Sequence, residues 1–257
     1  MTVSRWTKWS RKWTRLTRKL FHPGQIQNGR VRIDMRKWMF SKEARQLLYI
    51  DRYEYKERQI VEQQLRPDDI VLELGSGVGI VTITCCQIAG SERVHTFEAN
   101  PKLEAALRRN FELNGVAPHL RMAMISRTAG TGELYVSDHF LSSCPYESAT
   151  RTIDAKFECI SVPTVSLQRV LEEIQPTFLV IDIEGGEIEL LNPEVDLSSV
   201  QRICLEVHPA KIGDELTSRL IENLMQRGFW LSLIQSEGIV LYFERRSQTI
   251  GKHRSAA

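Results

Sequence analysis

Three glycines, Gly75, Gly77 and Gly79, follow the apolar run 70–74, and an acid, Glu98, closes the next strand-like run. In an open parallel sheet such strand ends are neighbours, and nucleotide-like ligands bind there. Glycine lets backbone approach a ligand with no Cβ in the way. An acid about 20 residues past the loop is placed to grip two ribose hydroxyls. A dinucleotide loop prefers G-x-G-x-x-G, but here the spacing is G-x-G-x-G, with Ile80 three residues after Gly77. A further acid, Glu73, precedes the first glycine by two residues.

A second constellation lies downstream. The apolar run 178–183 leads into Asp182-Ile183-Glu184-Gly185-Gly186-Glu187, and a later run ends Glu206-Val207-His208-Pro209. Side chains alternate along a strand, so Asp182 shares a face with Glu184, and Glu206 with His208. If the two strands are adjacent, four ionisable groups meet at the sheet edge that also carries the glycine loop. Asp182 and His208 are then candidate bases, with Glu184 beside them. Plainer readings exist: Glu184 and Glu187 as acids favouring a helix N-terminus, His208 as an exposed turn residue. Asp182, Glu184, Glu206 and His208 have ligand chemistry suited to a hard cation. Strand-end acids usually bind none, and no metal is expected.

Strands and helices alternate from residue 69 onward. Strands are expected at 69–74, 93–98, 119–125, 178–183 and 202–207, with helices at 79–89, 166–174, 185–191 and 213–227. Asn100 caps a further helix, with Pro101 at its first position and Asn114-Gly115 closing it. Residues 126–165 break the rhythm, with strand-like pieces at 132–136 and 157–164. Two last strands, 229–234 and 239–244, turn through Gln235-Ser236-Glu237-Gly238. The pattern predicts an α/β fold: a Rossmann-like, doubly wound, mostly parallel seven-stranded sheet with a C-terminal antiparallel hairpin. Residues 40–65 look helical, and 24–33 look like a linker or short strand.

The 257 residues suffice for one such domain and an extension. The five cysteines show no zinc spacing and read as reduced thiols of a cytoplasmic protein. No apolar run is long enough to cross a bilayer. Charge is uneven. Residues 1–37 hold eleven Lys or Arg against one acid, Asp34, although the whole chain is only +2, so the body is acidic. Trp6, Trp9, Trp13, Leu16 and Leu20 fall on one face of a helix over 3–20, opposite seven basic residues. Reversible attachment to a membrane surface fits this helix, at the inner face for a cytoplasmic protein. An organellar transit peptide, an RNA contact and packing on the acidic body are the alternatives. The segments expected are a basic amphipathic helix over 1–22, a linker and helical lead-in over 23–52, the main domain over 53–246 and a polar tail over 247–257.

E-x-G-x-G-x-G is the form used by Rossmann-like enzymes that bind S-adenosylmethionine, a ligand with a ribose and a sulfonium but no phosphate. Over residues 53 to about 244 the chain resembles the FkbM-type family of S-adenosylmethionine-dependent methyltransferases. The resemblance rests on E-L-G-S-G-V-G at 73–79, F-E-A-N-P at 97–101, S-L-Q-R-V-L at 166–171, I-D-I-E-G-G-E at 181–187, L-E-V-H-P at 205–209, and Tyr53-Glu54. The D-I-E-G-G-E block is its specific part. Departures are modest: Glu73 where Asp is common, Ser76-Gly77-Val78 for A-N-x, Ala99 for Pro, and Gly186 for Ala or His.

The resemblance implies O-methylation of a sugar, glycan or polyketide-type hydroxyl. It implies contacts to the methyl donor from Glu73, Gly75, Ser76, Gly77, Gly79, Glu98, Ala99, Asn100, Ser126 and Asp182. Glu73 is expected near the donor's amino-acid end, Glu98 on the ribose and Ser126 near the adenine. Asp182, His208 and Glu184 are the expected catalytic groups. The acceptor is expected to be a small molecule or glycan rather than nucleic acid. An NAD-dependent oxidoreductase on a similar sheet, and a non-catalytic binding module with this fold, are the alternatives.

Overall fold

The computed structural model describes residues 17–18, 20–36, 42–137, 143–145 and 157–245. Its strands are β1 Gln25–Asn28, β2 Val31–Asp34, β3 Val71–Leu74, β4 Val94–Glu98, β5 His119–Met122, β6 Met124–Ser126, β7 Gly130–Ser137, β8 Ser143–Pro145, β9 Phe157–Ser166, β10 Phe178–Ile181, β11 Arg202–Glu206, β12 Phe229–Leu231 and β13 Val240–Arg245. Its helices are α1 Lys42–Tyr49, α2 Tyr55–Gln64, α3 Ile80–Ala89, α4 Glu104–Asn114, α5 Leu167–Ile174, α6 Glu187–Leu190, α7 Pro209–Ile212 and α8 Asp214–Gln226. Of the expected N-terminal helix, Thr17, Arg18, Leu20 and Phe21 are helical, and residues 1–16 lie outside the described residues. So does the polar tail expected over 247–257. Among the described residues no helix is long and apolar enough to cross a membrane.

The main sheet has seven strands in the order β12-β13-β11-β10-β3-β4-β5. The five from β11 to β5 run parallel. Their residues alternate between two apolar layers. Leu72, Leu74, Leu179 and Ile181 pack with α5 and α8 on one face. Val71, Phe178, Val180 and Cys204 pack with α2 and α3 on the other. Burial on both faces explains why these strands read as continuous apolar runs. The last two strands do pair antiparallel, but β13 also pairs antiparallel with β11. The expected terminal hairpin is therefore threaded into the sheet, with β13 inside it and β12 at the edge.

Four local expectations change. The helix expected over 40–65 is two helices, because Asp51 and Glu54 both turn left-handed (φ 54 and 48). That break aims Tyr53 and Glu54 at the carboxyl edge of the sheet. The strand expected over 119–125 divides at Ala123, and β6 leaves to pair with β9. The stretch 126–165 builds a separate four-stranded sheet, β6-β9-β7-β8. Residues 24–33, expected as a linker or short strand, lie in the β1–β2 hairpin. Ile26, Val31 and Ile33 pack with Ile80, Ile83, Leu107 and Phe111. Asn110 ties this hairpin to the glycine loop. Its Oδ1 accepts from Asp34 N (2.9 Å), and its Nδ2 donates to Val78 O (2.9 Å).

The loop after β3 is held by its neighbours on both sides. Gly75 N and Ser76 N donate to Phe97 O at 2.9 and 3.2 Å, and Asp182 N donates to Leu74 O at 2.9 Å. Gly75 has φ +91, and a Cβ there would lie 1.9 Å from the backbone oxygen of Asp182. Gly75→Ala must therefore prise β3 from β10, at the place where both site strands end. We expect it to cost roughly 3 kcal/mol or more by urea denaturation. Gly115→Ala, left-handed (φ +66) but with nothing within 4 Å, should cost only about 1 kcal/mol. Equal costs would contradict this account of Gly75.

Candidate active site

Glu98 ends β4 and is 6% exposed. Its Oε2 accepts from Gly77 N (2.9 Å) and its Oε1 from Asn100 N (2.8 Å). These bonds lock the acid to the glycine loop and to the turn that starts α4. Burial pushes its pKa up to about 7, against the pull of backbone donors at Asn100, Gly77, Ser76 and Ala99. Each carboxylate oxygen keeps acceptor capacity beyond its one backbone bond, so Glu98 can still receive two hydroxyls from the cleft it lines.

Glu73 sits elsewhere. Strand alternation turns it to the face of Val71, one layer behind the loop. It is 1% exposed, and it does not line the cleft. Thr82 and Thr96 hydroxyls both donate to its Oε2 at 2.5 Å. Thr96 Oγ1 also lies 2.5 Å from Ser76 Oγ. Glu73 and Ser76 thus form a buried network beneath the glycine loop. Burial pushes Glu73 up to about 7, and its Oε1 has no hydrogen-bond partner among the described residues.

The other loop glycines serve packing as well as access. A Cβ at Gly77 would meet Glu54 Oε1 at 2.3 Å and the Tyr53 hydroxyl at 2.7 Å. At Gly79 it would meet Phe111 and Leu107. Gly77 lines the cleft and Gly79 does not. Asn100 is fully buried. Its Oδ1 accepts from Lys102 N (3.0 Å), so it shapes the turn from behind the wall.

β10 and β11 are adjacent, and this brings the second constellation together. One ligand atom each from Asp182, Glu184 and His208 lie within 4.8 Å of one another. His208 Nδ1 bonds Glu187 Oε1 at 2.5 Å, and its Nε2 faces Glu184 (3.4 Å) and Asp182 (3.7 Å). Glu187, fully buried, also accepts from Gly185 N (3.1 Å). Burial works against the His208 cation, but the Glu187 bond and the surrounding carboxylates outweigh it and raise the pKa. Asp182 is held well above the ordinary aspartate range by burial, then by Glu206, Glu184, Glu57 and Glu54. Glu184 is left-handed (φ 55) and contacts the Lys211 ammonium.

These groups surround a cleft of about 790 Å³, within the roughly 300–1,000 Å³ usual for small-molecule sites. Of the expected residues, Gly75, Gly77, Glu98, Ala99, Ser126, Asp182 and Glu184 line it. Glu73, Ser76, Gly79, Asn100 and His208 do not, and stand behind its wall. Tyr53, Glu54 and Lys211 line it as well. Sequence reasoning assigned Lys211 no role and Glu187 only a helix-end one. The Glu187–His208 pair spans 21 residues, and no spacing signals it.

The raised carboxyls carry a sign. Glu73 and Glu98 go from an ordinary 4.5 to about 7 in the fold. The protonated forms therefore bind the fold better. Their contribution is complete below about pH 4.5 and is lost as pH rises towards 7. His208, also raised, acts in the same direction. The ligand-free chain should therefore melt at a lower temperature at about pH 8 than at about pH 5.5, with up to roughly 2 kcal/mol from each buried acid. Circular-dichroism melts test this, and a melting temperature rising over that range would contradict it.

A profile of the Methyltransferase FkbM domain matches residues 77–238, which include Glu98, Asp182 and His208. This chain belongs to that family. The FkbM domain match begins inside the glycine loop, at Gly77, and ends in the turn before β13. No curated protein matches the chain. Solved structures give distant likenesses. The precorrin-6y C5,15-methyltransferase of Geobacter metallireducens GS-15 has 12% identity and a TM-score of 0.41, over 74% of this chain and 84% of that one. M. jannaschii TYW2 in complex with AdoMet has 14% identity and a TM-score of 0.41, over 86% of each chain. The M. jannaschii tRNA m1G37 methyltransferase has 12% identity and a TM-score of 0.43, over 87% of this chain and 57% of that one.

Proposed function

We propose that this chain moves a methyl group from S-adenosylmethionine to a hydroxyl of an acceptor of the sugar, glycan or polyketide type. The observation that carries the reading is the placing of Glu98 and Asp182 in the wall of one cleft, on either side of the glycine loop. The residues present suit the donor. Among the described residues, Glu54 Oε2 and Asp182 Oδ1 are buried without a hydrogen-bond partner, which favours a ligand rich in positive charge and donors. S-adenosylmethionine brings an ammonium, a sulfonium and two ribose hydroxyls. Glu98 would take the hydroxyls, Glu54 the ammonium, and Ala99 and Ser126 would border the adenine.

When bound, the donor supplies an electrophilic methyl whose S–C bond breaks as the O–C bond forms, leaving a neutral thioether. The protein's part is alignment and proton transfer. Holding the acceptor oxygen in line can supply several kcal/mol. Asp182 lines the cleft and would accept the hydroxyl proton. A cation beside it restores the carboxylate that burial disfavours. His208, behind the wall, would hold Asp182 and Glu184 in place through the Glu187 bond. It is a positioning residue here rather than the base. Calorimetric titration tests the donor assignment: one molecule of S-adenosylmethionine should bind per chain, and NADH should not. Tight NADH binding without methyl-donor binding would reverse it.

A further inference from the structure

A second cavity of about 570 Å³ opens on the far side of Asp182. It shares Tyr53, Glu54, Asp182 and Glu184 with the first cleft. These four form the partition between the two. Beyond them its walls add Asp51, Glu57, Glu206 and Glu237, against the cations Arg52 and Lys56. Among the described residues, seven carboxyl groups thus face one space with two positive charges. Asp51 is already paired with Arg58 (3.0 Å) and Glu184 with Lys211. Glu57 is 6% exposed and stands against Glu206. Burial, then the Glu206 carboxylate, pushes it up to about 7. Glu54 Oε2 and Asp182 Oδ1, on the partition, are buried with no hydrogen-bond partner among the described residues. These two unpaired buried carboxyl oxygens are costly, and the excess of carboxyls over cations around the cavity points to a ligand that brings donors and positive charge.

We propose that this cavity seats the methyl acceptor, and that it selects an acceptor bearing a protonated amine, with the ammonium between Glu57 and Glu206 and the hydroxyl to be methylated at Asp182. The proposal rests on the methyl-transfer reading and narrows its substrate class. The partition gives the arrangement its chemistry. A donor in the first cleft and an acceptor in the second meet only across Tyr53, Glu54, Asp182 and Glu184, so the group that takes the proton touches both. Glu57 and Glu206 hold the amine charged and therefore non-nucleophilic, which directs transfer to oxygen. A divalent ion would engage Asp182, Glu184 and His208. It would leave the space around Glu57, Glu206 and Glu237 unfilled, and Glu184 already has its Lys211 cation.

The test uses the full chain saturated with S-adenosylhomocysteine, whose own binding is measured first. Failure of that first step counts against the methyl-transfer reading, and everything after it concerns the acceptor. Matched probes are then titrated by calorimetry: glucosamine against glucose, ethanolamine against ethylene glycol, and cadaverine against pentanediol. At least one amine should bind about tenfold tighter or more than its uncharged partner. Glu206→Gln and Glu57→Gln, checked for unchanged melting, should each remove most of that preference. If no amine exceeds its partner, or if the preference survives both substitutions, the proposal is overturned. Magnesium or manganese chloride binding that is lost in Asp182→Asn, with no amine preference, would overturn it in favour of a metal site.

Discussion

Asp182→Asn is expected to lower kcat by about 10²- to 10⁴-fold, the range usual for losing a general base, with a smaller loss of methyl-donor affinity. The substitution keeps the shape of a side chain that lines both cavities and removes its capacity to take a proton. Because burial and four neighbouring acids hold Asp182 above its ordinary range, the wild-type rate should climb with pH as the carboxylate forms. His208→Gln should have a smaller effect on kcat. It removes a cation whose Nε2 lies 3.7 Å from Asp182, which raises the aspartate further and moves the acid limb of the pH–rate profile to higher pH. A merely structural histidine would lower the rate without moving that limb. Steady-state kinetics across pH separate the two.

Glu98→Ala is expected to weaken S-adenosylmethionine binding by about a hundredfold or more. Two charge-assisted hydrogen bonds to hydroxyls are worth about 1.5–3 kcal/mol each, and burial at 6% exposure removes water as a substitute. The same substitution orphans Gly77 N and Asn100 N, which both donate to this carboxylate. Some loss of melting temperature should therefore accompany the loss of affinity. Glu98→Gln retains one acceptor oxygen and should fall between the two in both measurements. If calorimetry finds unchanged donor affinity in a folded Glu98→Ala chain, this residue has no part in binding.

Much of this site was legible because strand ends are local signals. Apolar runs ending in Gly75, Glu98 and Asp182 mark the carboxyl edge of a parallel sheet, and the structure brings those ends together. What escaped was set by partners distant in sequence. Glu73 precedes the loop by two residues, yet strand alternation turns it to Thr82 and Thr96 and away from the cleft. Gly77 looks like ligand space but makes room for Tyr53 and Glu54. His208 shares a strand face with Glu206 in sequence, but its bond goes to Glu187 on the neighbouring crossover. The insertion of β13 between β11 and β12 is a choice of pairing, to which periodicity is blind. The left-handed residues Asp51 and Glu54, which open the second cavity, carry no glycine to announce them.

The most direct test of the central claim follows the methyl group itself. The full chain is incubated with methyl-labelled S-adenosylmethionine and an extract of the producing cells, and the labelled product is identified by mass spectrometry. One label should be carried on an oxygen of a small molecule or glycan, with S-adenosylhomocysteine formed in equal amount and both lost in Asp182→Asn. Label on nitrogen or carbon, or wild-type and Asp182→Asn chains that transfer equally, would contradict it.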